Sequence, residues 1–227
     1  MSSKTPPRLA CRELAAYAPD RLEAVQAAFR EAAGCSLGQG WLPGPEKDFA
    51  PATVRVGWRE NSLRIFAELL DADIFSRATA PNQRMWELGD AMEIFLQSEV
   101  LPGYVELHIT PDNLRLQLRF PDLAALQRAR AADFFDDLML ADGVFGSRVW
   151  KCPAQGRWYV HADIPPVLVS GSATWPPGAA WRFSFSRYDY TRGRPEPVIS
   201  SSSPHAQPNF HRREEWGTLI FQAKNNL

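Results

Sequence analysis

Cysteine is scarce: Cys11, Cys35 and Cys152 are the three in 227 residues. An odd number without close CxxC spacing excludes a disulfide framework and a zinc or redox cluster of the usual pattern, leaving room for one bridge at most. Neither sign of charge is in excess, since 25 Lys and Arg face 26 Asp and Glu for a formal net charge of -1. No global field therefore draws the chain to nucleic acid or to an anionic membrane, and neither is expected as a partner. Long apolar runs are missing as well. No window is long and apolar enough to span a bilayer, and the opening MSSKTPPRLACRELAAYAPDR lacks the continuous apolar segment of a secretory signal. A cytoplasmic location is the default expectation, replaced by a secreted or periplasmic one if a leader has been removed.

What the chain has in quantity is Trp, Pro and Gly, at 8, 19 and 14 residues. That composition fits a loop-rich β protein which buries most of its Trp and displays a few. Met85 to Phe120 is the most regular stretch. Met92, Ile94 and Leu96, then Val105, Leu107 and Ile109, then Leu114, Leu116, Leu118 and Phe120 each fall on alternate positions. Three half-buried antiparallel strands are expected, aliphatic on one face and polar on the other. The turn Thr110-Pro111-Asp112-Asn113 suggests Ile109 opposite Leu114, hence His108 opposite Arg115. The first hairpin sets Glu93 beside His108. A polar row of Glu93, His108 and Arg115 follows, read by itself as a solvated outer face with cross-strand charge pairs.

Either side of this meander the pattern is also β. Val54, Val56 and Trp58 form a hairpin with Leu63, Ile65, Ala67 and Leu69. Residues 144–150, 157–164, 181–188 and 216–222 predict further strands, with Trp158, Val160, Ala162, Ile164, Trp181, Phe183 and Phe185 inward and Tyr159 and His161 outward. Arg187 continues the inward parity, so its guanidinium must sit at a strand end, at a bulge or against a carboxylate. Asp20 and Glu23 have capping-box character before Leu22, Val25 and Phe29, and Gly34 reads as a helix stop. Residues 35–52 read as loop, with Trp41 an anchor. Residues 70–87 are a long polar loop and 121–132 a short surface helix. The chain divides into an N-terminal extension, 1–50, packed on a β domain, 51–227.

In the second half, WYVHADIPPVLV, WRFSFSRYD, a Ser-rich loop, NFH and EEWGTLIF resemble, in that order, family 9 carbohydrate-binding modules. WELGDAMEIFLQ and YVELHITPDN upstream resemble that family's acidic-residue and Tyr-containing strands, so the similarity covers about residues 53–222. An early Asp-Gly strand with its Trp, frequent in the family, is replaced here by the helix-like segment and CSLGQGW. The resemblance implies an all-β, two-sheet antiparallel sandwich, jelly-roll-like in its connections and immunoglobulin-like in shape, with an N-terminal helix and a short helix after the meander. It implies non-catalytic saccharide binding by a free-standing module and no cofactor, and it leaves room for a calcium ion without naming its ligands.

A sugar offers C–H faces to stack on an aromatic ring and hydroxyls to pair with fixed polar groups. Trp86 and Glu93 supply that pair and fall in the family's motif region, where an aromatic platform and a hydrogen-bonding acid are implied. Arg115 is the candidate second donor. Trp175, between Ser-Ala-Thr and Pro-Pro, is either the opposite wall or a loop pin. Asn209, Phe210 and His211 match the NFH loop and either brace the last strand or touch ligand, ranking with Arg187. His108 and His161 read as surface imidazoles. A glycosidase is disfavoured, because Asp90 and Glu93 fall on opposite strand faces and Glu93 and Glu106 sit among bases on an open sheet. Two other readings are a haem-binding relative using Met85 or Met92, and an interaction or homodimerisation domain that has lost sugar binding.

Overall fold

The β-branched and aromatic alternation of residues 52–70 closes on a tight Glu60-Asn61 turn, both residues holding positive φ at 51° and 55°. It forms the hairpin around which one sheet is built. A computed structural model describes residues 5–176 and 178–223. Along the chain lie β1 (Arg8–Cys11), α1 (Leu22–Phe29), β2 (Ala33–Ser36), β3 (Ala52–Arg59), β4 (Ser62–Leu70), β5 (Ala91–Ser98), β6 (Tyr104–Ile109) and β7 (Arg115–Phe120). Then come α2 (Leu123–Ala132), β8 (Gly146–Cys152), β9 (Arg157–Ile164), α3 (Pro166–Ser170), β10 (Ala180–Asp189), β11 (Val198–Ser201) and β12 (Gly217–Phe221).

They make a two-sheet, predominantly antiparallel sandwich. One sheet runs β1-β12-β10-β5-β6-β7, with β11 beside the far half of β10, and the other runs β2-β3-β4-β9-β8. The inner faces meet in one core that includes Val54, Val56, Ile65, Met92, Ile94, Leu107, Trp158, Val160, Phe183 and Phe185. Residues 5–50 are packed on this body and supply a strand to each sheet: β1 pairs in parallel with β12, and β2 pairs with β3. Gly34, expected as a helix stop, lies within β2. The expected capping box is not made, since Arg21 occupies the N-cap position without a side-chain hydrogen bond. All three cysteines are free. Among the described residues no helix is long and apolar enough to cross a membrane.

Both outer faces are covered too, which corrects the expectation of a solvated polar face. α1 lays Val25 and Phe29 over Phe66 and Tyr159. His161, expected at the surface, is 3 % exposed beneath them and is hydrogen-bonded to the Tyr17 hydroxyl at 2.8 Å. Burial pushes its pKa down to about 4. On the other outer face a second cluster forms from Met85, Phe95, Tyr104, Leu116, Leu118, Phe120, Leu126, Phe210 and Trp216.

The second hairpin corrects the expected register. Ile109 pairs with Arg115 and His108 with Leu116. Asn113 takes the left-handed conformation, φ 60°, and Pro111-Asp112-Asn113 becomes a three-residue loop closed by hydrogen bonds between Thr110 and Leu114. One residue more in the turn exchanges the two faces of the following strand. Leu116 and Leu118 thus join Glu93, Glu106 and His108 on the outer face, while Arg115 turns to the other side.

Candidate functional site

Glu93 on β5 and Glu106 and His108 on β6 are brought together by the pairing of Glu93 with His108 and of Phe95 with Glu106. The three are 2 %, 4 % and 0 % exposed, so the expected solvated row gives way to a buried ionisable triad. His108 Nε2 donates to Glu106 Oε1 at 2.7 Å and lies 3.2 Å from Glu93 Oε1. Burial opposes charge on His108, but the two carboxylates outweigh it and raise its pKa. Burial pushes Glu93 up to about 8, with His108 opposing and Glu106 adding to the rise. Burial works the same way on Glu106, yet His211 and the hydrogen-bonding His108 hold that carboxyl below its ordinary range.

One nitrogen thus grips one oxygen of each acid. Glu93 Oε2 and Glu106 Oε2 are buried and have no hydrogen-bond partner among the described residues. Both acids line a cavity of about 480 Å³. Its walls are Leu126 and Arg130 of α2 with Phe135 beyond it on one side, Asn209, Phe210 and His211 on the other, and Tyr188 of β10 at the flank. Arg84, Trp86 and Glu87 edge the mouth. His211 Nδ1 is hydrogen-bonded to Tyr104 Oη at 2.8 Å, and burial takes its pKa down to about 4, so the ring is neutral at neutral pH.

Trp86 occupies its position for local reasons. Met85–Glu87 form one 3-10 turn, with Met85 buried. The Trp86 carbonyl accepts from Tyr190 Oη at 2.6 Å, and the indole, half-buried, lies 5.5 Å from the His108 ring and 5.6 Å from Phe135. Gly89 follows at φ 139°, where a Cβ would sit 2.7 Å from the Phe75 carbonyl oxygen and 2.8 Å from Ser76 Cα. Gly89→Ala is therefore expected to cost about 1–3 kcal/mol and to weaken ligand binding by displacing Trp86. Urea denaturation with a binding isotherm measures both, and unchanged values would count against this role. The loop carrying the NFH residues is pinned in turn: Trp216 Nε1 donates to the Phe210 carbonyl at 2.7 Å, and Arg212 donates twice to Glu215 at 2.8 Å.

Of the expected site residues, Trp86, Glu93, Asn209, Phe210 and His211 line one cavity. Three others lie elsewhere. Arg115, carried to the opposite face by the register, donates to Asp142 Oδ1 at 3.2 Å and the Phe145 carbonyl at 3.3 Å. Trp175 is a packing residue, stacked on Phe221 with centroids 4.3 Å apart and edge-on to Trp181. Arg187 is fully buried and points between the sheets, paired across from core residue Met92. Glu106, Tyr188 and Arg130 were not anticipated. The alternation marked Glu106 as outward, but only the helix and loops packed over that face show that outward means into a cavity. Met85 and Met92, the methionines of the haem alternative, are both buried, in different clusters on the two sides of the sheet.

Arg187 has the carboxylate partners its parity demanded. Its Nη2 is 3.0 Å from both Asp71 Oδ2 and Asp189 Oδ1, and Nη1 donates to the Leu70 carbonyl at 2.6 Å. Asp90 completes a buried group of three carboxylates whose ligand atoms lie within 4.8 Å of one another. All-oxygen donors and three acids against one guanidinium suit a hard cation such as calcium. Asp71, Asp90 and Asp189 would hold it, screening their mutual repulsion and bracing the loop, since Asp90 also accepts the N–H groups of Phe75 at 2.7 Å and Tyr190 at 2.8 Å.

No family profile matches the chain, and no curated protein matches it. Solved structures do. A proposed carbohydrate-binding protein from Bacteroides uniformis superposes with a TM-score of 0.70 at 17% identity, over 95% of this chain and 99% of that one. A family 9 carbohydrate-binding module from Caldicellulosiruptor kristjanssonii superposes with a TM-score of 0.63 at 13% identity in complex with cellotriose, over 97% of this chain and 96% of that one. In complex with glucose its TM-score is 0.65 at 13% identity, over 97% and 99% of the two chains. At these identities the likeness establishes the architecture: the chain has the all-β sandwich fold of the family 9 modules.

Proposed function

We propose that the cavity binds saccharide without transforming it. The observation that carries this reading is a half-buried indole at the edge of a cavity floored by two carboxylates, each with one oxygen outside any hydrogen bond, that of Glu106 lying 3.6 Å from His211 Nε2. Trp86 offers a face for sugar C–H groups, and the two Oε2 atoms accept hydroxyl protons in a region shielded from water, where charged hydrogen bonds are strong. Asn209 adds an amide that can both donate and accept. Phe210 and His211 shape the far wall. The likeness to modules solved with cellotriose and glucose supports the same reading.

Hydrolysis fits the geometry poorly. A glycosidase sets its carboxyl groups on either side of the scissile bond, whereas Glu93 and Glu106 share one floor and one imidazole nitrogen. Calorimetry against cello-, xylo- and manno-oligosaccharides tests binding, with reducing-end release followed alongside. Trp86→Ala is expected to weaken the best ligand about thirtyfold, roughly 2 kcal/mol. Silence across saccharide panels would overturn the proposal and favour an interaction domain. Release of reducing ends would overturn its non-catalytic part.

A further inference from the structure

Resting on the saccharide reading, we propose that the preferred occupant is an amino sugar, its ammonium group seated between Glu93 Oε2 and Glu106 Oε2. The floor of the cavity offers a ligand two buried carboxylate oxygens, Glu93 Oε2 and Glu106 Oε2, that lack a hydrogen-bond partner. His108 spends Nε2 on both acids, and His211 holds Nδ1 on Tyr104 with Nε2 3.6 Å from Glu106 Oε2, beyond hydrogen-bond distance. Two carboxylates against one imidazolium leave the floor one negative charge in excess when all three are ionised. At the mouth, Arg84 is occupied by Asp133 at 2.7 Å and Glu87 at 3.5 Å. Arg130 reaches the cavity wall from α2 but is itself exposed, so solvent screens it, while the two acids are buried.

A neutral hydroxyl satisfies one such oxygen with one proton. An ammonium group has three donors and balances the charge of Glu93 once that carboxyl ionises, removing the cost of two buried acceptors with no partner. The indole at the mouth adds a face that attracts a cation within reach. Charge balance has a further consequence. Burial holds a proton on Glu93 near neutrality, so seating an ammonium there expels it to solvent, whereas a neutral sugar leaves it in place. His108, Glu106, Tyr188, His211 and Arg130 are the other titratable or charged groups around that carboxyl.

Calorimetry at neutral pH, with β-1,4-linked glucosamine oligomers, their N-acetylated counterparts and cello-oligosaccharides of matched length, decides the matter. The amino form is expected to bind about tenfold or more tightly than either neutral form. At pH 6, where the amines arrive already charged, its binding heat should vary with the ionisation heat of the buffer, reporting proton release. Glu93→Gln is expected to abolish both the preference and the release. The comparison within the unmodified protein stands even if that variant folds poorly. Neutral oligomers binding as well as the amino form would overturn the amino-sugar assignment and leave saccharide binding intact. Failure of this panel and of the xylo- and manno-oligosaccharides would overturn both.

Discussion

Arg187→Met is expected to destabilise the domain by about 3–5 kcal/mol at neutral pH, the largest effect of any single substitution considered for this chain. Methionine keeps much of the volume and removes the charge. What remains is a buried group of Asp71, Asp90 and Asp189 with no cation from the protein to balance it. Two of these carboxyls are already reluctant to ionise. Burial, with repulsion from Asp71, pushes Asp90 up to about 8, and burial pushes Asp189 to about 7 against the pull of Arg187. The penalty should shrink at mildly acid pH, where both take up protons in the folded state. Urea denaturation in chelator at both pH values measures this. A loss below about 1 kcal/mol at neutral pH would show that the guanidinium is not what holds the cluster.

Stability of the unmodified protein should fall as pH rises from 6.5 to 8. Glu93 and Asp90 have folded pKa values near 8, far above their ordinary 4.5 and 3.8. In that window the folded chain keeps protons that the unfolded chain has released, and the linkage slope is negative. The stability associated with these two groups is fully present below their unfolded pKa values and lost by the time pH passes 8. Each contributes up to about 1.4 kcal/mol per pH unit, so a total fall of roughly 2–4 kcal/mol is expected. Below pH 6.5 the slope flattens. His161 and His211, depressed from 6.5 to about 4, are neutral in the fold, and their contribution is lost as pH falls towards 4. Thermal melts across pH in chelator check the sign. A melting temperature that is flat or rising between pH 6.5 and 8 would contradict it.

Most strands were readable because alternation is local. Each run fixes the parity of its own side chains whatever it pairs with. The hairpin of β3 and β4, the strand parity of β5, β9 and β10, and the demand that Arg187 meet a carboxylate all follow from parity and the cost of burying charge. The first hairpin of the meander, with Glu93 beside His108, was also legible. The second was not. Whether Asn113 adopts a left-handed conformation shifts the strand by one residue, and that shift removed Arg115 from the row. Trp175 was ambiguous because a Trp flanked by Pro and small residues looks the same in sequence whether it stacks on a ligand or on Phe221.

The sequence by itself determined which side chains share a strand face and that the chain is a loop-rich β protein, which are properties of periodicity and composition. The sandwich class and the pairing of Trp86 with Glu93 were what the resemblance to the family 9 modules implied. Only the tertiary structure decided that the polar face is interior, because α2 and the segment bearing Asn209, Phe210 and His211 come from far along the chain to cover it. Burial is set by such distant contacts. Burial turned a row of apparent surface charges into two acids held by one imidazole at the floor of an open cavity.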